Sequence, residues 1–235
     1  MYELSVRVAH EHQLTSGGRP VDVVALAIPA ETVTATAPHS MALALADARA
    51  DLVAGSADRG IDGVVGISTR ISVAVPEDRA DAVGRLVARH CLGALADVVA
   101  SGAADVPSGI AVRPRRGWVE VRTEHVDGDD LAAAVVLLTG AVVTFLLGTP
   151  APATPKPRLT GSRGRGGWFA ESPGSGDLAE VWAWARTGAR AGGLEPTPLD
   201  DLVDGLRPLR RDREAGAVAG AVAGAVVGDA VPARA

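Results

Sequence analysis

Between Met41 and Val75 the spacing of apolar residues changes period. Met41, Leu45, Ala48 and Leu52 recur at helical intervals, whereas past Gly60 the residues Ile61, Val65, Ile67, Ile71, Val73 and Val75 hold odd positions only. A period near 3.6 followed by a period of 2 predicts a helix that packs back onto a long sheet strand. Upstream, Tyr2, Leu4, Val6 and Val8 alternate with Glu3, Ser5 and Arg7, a half-buried strand, and residues 15–20 form a turn cluster. Val21 to Ile28 is apolar nearly throughout, the pattern of a central strand covered on both faces, and Pro29 is expected to end it. Ser40 is the expected N-cap of the first helix and Gly60 its left-handed C-terminal residue.

Downstream, Pro76, Glu77 and Asp78 open a second helix with Val83, Leu86, Val87, Cys91, Leu95 and Val98 on one face. Ile110 to Val112 and Trp118 to Val126 predict a hairpin turning at residues 114–117, and the charge-free run Leu131 to Gly148 predicts a third helix. The order β-β-α-β-α-β-β-α makes residues 1–148 a layered α/β (α+β) domain, a mixed sheet with helices packed on it. Residues 149–167, rich in Pro, Gly and Arg, are a linker by composition. Residues 168–214 are a short helical segment, with helices expected at Asp177–Arg190 and Leu199–Leu206, and 215–235 an Ala/Gly/Val-rich tail.

Composition narrows the function classes. A formal charge of -5 argues against a nucleic-acid-binding protein, for which a basic face is expected. One cysteine, Cys91, excludes an internal disulfide and fits a reducing cytoplasm, and the first residues lack the basic-then-apolar pattern of a signal peptide. Ala, Val and Gly supply most of the apolar fraction, and the Ala/Arg/Asp/Val bias resembles that of a GC-rich, actinobacterial genome. Such a core buries little area per residue, so association into a homo-oligomer is expected.

Five histidines and a few acids are the candidate chemistry. His10 and His12 are two apart on a predicted strand and therefore share a face, so two imidazoles can ligate zinc, nickel or copper while Glu11 points the other way. They have the parity of Leu4, Val6 and Val8, so the competing reading is the margin of the core face. His39, at the start of the first helix, is the candidate third ligand, although a loop histidine is its plainer reading. Cys91 lies on the apolar stripe and reads as a buried structural thiol; its neighbour His90 points about 100° away on a helix. His125 reads as part of a solvated hairpin face, Glu31 as a weak catalytic candidate, and Asp62 as a turn residue bonding nearby backbone. Residues 161–167 lack the Gly-Lys-Ser/Thr ending of a phosphate loop and read as a basic linker.

Two apolar segments admit a membrane reading. Leu131–Gly148 approaches the length needed to span a bilayer, with acids before it and bases after it. A helix buried on the sheet satisfies the same charges through its dipole, and this is the favoured reading. In the tail, Gly216, Gly220, Gly224 and Gly228 recur every four residues, so 215–231 is either a helix supported by a membrane or partner, or a disordered tail.

Val23-Val-Ala-Leu-Ala-Ile-Pro-Ala-Glu31, Ala46-Asp-Ala-Arg-Ala50 and Gly60-Ile-Asp-Gly-Val-Val-Gly66 resemble the YbjQ family of small domains described as heavy-metal-binding. The resemblance covers residues 21–75; Ile61 stands where the family has Ala, and the connection before the helix is shorter. It implies an α/β domain prone to oligomerise and transfers no ligand set. The leading expectation is a non-enzymatic oligomer with a structural, binding or metal-associated role. The alternatives are a membrane-anchored accessory protein using 131–148 and 215–231, and an enzyme with a subunit-interface site built from His10, His12, His39 and Glu31.

Overall fold

The computed structural model describes residues 4–99, 110–153, 159–161, 168–170 and 178–195. Its elements are β1 (Ser5–Ser16), β2 (Arg19–Thr32), α1 (Ala37–Ala57), β3 (Gly63–Ala74), a 3-10 turn at Glu77–Arg79 and α2 (Ala80–Val99). There follow β4 (Ala111–Arg115), β5 (Trp118–Glu124), α3 (Gly128–Leu146), β6 (Leu159–Gly161), β7 (Trp168–Ala170) and α4 (Leu178–Ala191). The strands form one sheet in the order β2-β1-β3-β5-β4-β7-β6. All of its pairings are antiparallel, so the layered α+β architecture is as expected but the sheet is not mixed.

Helices cover one face of this sheet. α1 packs on β1 and β2, α2 on β4, β5 and β7, and α3 on β3. α3 also meets α1, α2 and α4, and Leu131 to Thr144 are buried without interruption. α3 is the one helix among the described residues long and apolar enough to cross a bilayer, yet its apolar surface faces protein. Each of its buried Leu and Val side chains removes enough apolar area to contribute roughly 1.5–3 kcal/mol. α3 and α4 touch backbone to backbone: a Cβ on Gly188 would overlap the Gly140 carbonyl oxygen and the Thr144 hydroxyl. That hydroxyl donates to Gly140 O at 2.7 Å and reaches Trp184 O at 3.2 Å.

Several expectations change. β2 is not central; it is the edge strand, with Val21 and Val23 about half exposed, because an apolar run does not by itself say how many neighbours a strand has. Nor does Pro29 end it. The strand continues to Thr32, and Pro29 falls where the β1–β2 register slips between Val8↔Ile28 and Val6↔Glu31, a place where no ladder donor is required. Thr36, not Ser40, precedes α1; Ser40 lies inside the helix and its hydroxyl donates back to Thr36 O at 3.0 Å. Gly60 does adopt the left-handed conformation, φ 71°.

Alternation in β3 is broken once. Glu11 pairs with Ser68 but His12 with Gly66, so Ile67 is the extra residue of a β-bulge. Ile71, Val73 and Val75 face the core as expected, while Val65 and Ile67 are turned to the exposed side. Residues 159–161, within the stretch assigned to a linker, and 168–170, at the start of the segment expected to be helical, are strands that extend the sheet beyond β4. The expected helix at 199–206 and the glycine-rich tail at 215–231 lie outside the described residues.

Candidate metal centre

Alternation along β1 sends Leu4, Val6, Val8, His10, His12 and Leu14 to the helix-covered face, and all six are buried. His10 is 2% exposed and His12 0%, so both imidazoles are buried. The third imidazole belongs to His125, for which the sequence pattern predicts a solvated hairpin face. Val119, Val121 and Thr123 of β5 alternate inward, and His125, just past the strand, continues their parity into the same space. Ring centroids of His125 lie 4.6 Å from His10 and 5.3 Å from His12, and those of His10 and His12 are 5.9 Å apart. One ring nitrogen from each of the three falls within 4.8 Å of the others.

Two features of β3 make room for this arrangement. The bulge at Ile67 sets Gly66 opposite His12, and the His125 ring lies directly over Gly66, where any Cβ would overlap the imidazole. Thr69, paired with both His10 and Thr123, accepts from Val126 N at 2.9 Å and donates to Val126 O at 3.2 Å. These bonds pin the segment that carries His125.

The rings are poorly served by protein partners. His10 has a backbone hydrogen bond with Val126, but its Nε2 has none, and neither nitrogen of His12 is bonded. Neither nitrogen of His125 is hydrogen-bonded either; its Nε2 lies 3.6 Å from an Asp127 carboxylate oxygen, beyond hydrogen-bonding distance. Burying such nitrogens costs stability unless something pairs with them.

Electrostatics keep all three neutral at pH 7. Burial, followed by the neighbouring His125 and His12, drives His10 from 6.5 down to about 4, against the opposing pull of Asp127 and the Val126 bond. His12 is lowered by burial, His125 and Arg49. His125 is lowered chiefly by burial, with Asp127 opposing and Arg49 assisting. A neutral imidazole offers a lone pair, the form a metal ion requires.

The other candidates lie elsewhere. His39 is exposed on the first turn of α1 and is not among the converging imidazoles, where His125 stands instead. Glu31 pairs with Val6 across the sheet. Asp62 fastens the β1–β2 turn, accepting from Gly17 N at 2.6 Å and from the Thr15 hydroxyl at 3.2 Å. Cys91 is fully buried, and burial pushes its thiol up to about 12, an inert core residue. Glu11 faces the uncovered side of the sheet. Burial alone would raise its carboxyl, but the Ser68 bond at 2.8 Å and the guanidinium groups of Arg122 and Arg70 bring it below its ordinary value.

No family model, curated protein or solved structure matches the chain.

Proposed function

We propose that the protein binds a divalent transition metal, with zinc the reference ion, through His10, His12 and His125. One observation carries this reading: three neutral imidazoles converge inside a hydrophobic core with ring nitrogens that no protein group satisfies. A core assembled for packing alone has no use for such groups, since apolar side chains of similar size would be more stable there. All-nitrogen donor sets suit zinc, copper and nickel, and three histidines are a known zinc set that leaves a fourth position open. In tetrahedral coordination at 2.0–2.1 Å the donors stand roughly 3.4 Å apart, so binding requires the 4.8 Å cluster to contract by small ring rotations. The Thr69–Val126 bonds and the Val126 contact to His10 are the supports that orient metal-ligating imidazoles. The resemblance of residues 21–75 to YbjQ domains is in keeping with a metal-associated role.

The test is zinc uptake measured by calorimetry and elemental analysis on the full chain. One equivalent is expected in the parent, and uptake should be lost in His12→Leu and His125→Leu but retained in His39→Ala. The metal-free His12→Leu protein should also unfold at higher denaturant than the metal-free parent, because an unsatisfied polar group has been replaced by an apolar one. Equal zinc content in parent and His12→Leu would refute the proposal.

A further inference from the structure

The three histidines do not sit in a sealed cavity. A cleft of about 570 Å³ opens against two of them, lined by His10 and His125 together with Leu45, Ala50 and Val53 of α1. Arg49 and Asp127 also line it. Val53 is one of the few large apolar side chains left half exposed in the described structure, and it is exposed here. Arg49 holds unused hydrogen-bonding capacity: its Nε is buried without a partner, and its nearest acid, Asp127, is 4.0 Å from Nη1.

From this cleft we infer a ligand class: a small organic monocarboxylate with an apolar tail. Its carboxylate would be shared between Arg49 and the open position of the metal, its tail lying along α1. The inference rests on the metal reading above and adds the identity of what the metal faces. Three neutral ligands leave a bound dication with its full charge, and Arg49 adds another while Asp127 removes one. A cleft walled by Leu45, Ala50 and Val53 strengthens that unbalanced positive charge and favours an anion beside it. The volume lies in the range of small-molecule sites, and an apolar lining with few convergent polar groups is their usual composition. An inorganic polyanion would face the Asp127 carboxylate and leave the apolar wall uncovered.

The probe is the cobalt(II)-loaded full chain, whose visible absorption reports the coordination sphere, titrated with acetate, butyrate, hexanoate and methyl hexanoate. Hexanoate is expected to shift the cobalt bands at concentrations at least about tenfold below acetate, as buried methylenes accumulate. Methyl hexanoate should leave the spectrum unchanged. Arg49→Gln should still take up cobalt but need roughly tenfold more hexanoate. Bound cobalt whose spectrum no carboxylate moves, or moves independently of chain length, overturns the ligand inference and leaves the metal site standing. A chain that takes up no cobalt overturns the metal reading and this inference together.

Discussion

Acidification should destabilise the metal-free protein well above the pH at which its carboxylates titrate, and His10 should account for much of the loss. In the folded chain His10 is lowered from 6.5 to about 4, chiefly by burial and then by His125 and His12. The unfolded chain therefore binds a proton near pH 6.5 that the folded chain refuses until about pH 4. The contribution is fully present above pH 6.5, declines as the pH falls, and levels off below the folded value. Between about pH 7.5 and pH 5 the difference amounts to roughly 2 kcal/mol for His10 alone, and His12 and His125 shift in the same direction. Glu11, held below its ordinary carboxyl value, is silent in that window. Urea unfolding with a chelator present, followed by tryptophan fluorescence at both pH values, measures the loss. His10→Leu should reduce it by about 2 kcal/mol, since no imidazole then remains at that position to refuse the proton. A loss of equal size in parent and variant, or greater stability at pH 5, would refute the burial argument.

Two further outcomes follow from close approaches. Gly66→Ala places a methyl against the His125 ring and should weaken zinc binding about tenfold to a hundredfold by turning that ligand away. In a His125→Ala background the same substitution should have little further effect on stability, and a thermal double-mutant cycle showing no coupling would contradict the contact. Gly188→Ala forces α4 off the Gly140 carbonyl and should cost about 2 kcal/mol, seen as a fall of several degrees in Tm. An unchanged Tm would mean that the two backbones are not in contact.

What the sequence disclosed depended on whether a local pattern had one structural meaning or several. Parity in β1 placed His10 and His12 on one face, and that face is where they lie. The charge-free run after Asp130 has to be hidden from water, and α3 is hidden. By contrast, the apolar run in β2 is compatible with a centre or an edge, and the choice is made by pairing distant in sequence. Ile67 looked like one more member of an alternating strand because a bulge adds a residue without marking its composition. His125 carried a signal: its parity with Val119, Val121 and Thr123. The adjoining Glu124 and Asp127 fit a solvated surface as well. His39 lies apart from the cluster, because proximity to a helix start says nothing about which way that start faces.

The contact between α3 and α4 also has a consequence in time. Translation delivers residues 128–146 well before 178–191, and at roughly 5–20 residues per second the interval lasts seconds. Throughout that interval one flank of the most water-averse helix in the described structure has no cover, because its partner is still unmade or inside the ribosome. The newborn polypeptide passes through a stage in which water reaches a surface that the finished fold conceals. Ending synthesis before Leu178 would make that stage permanent.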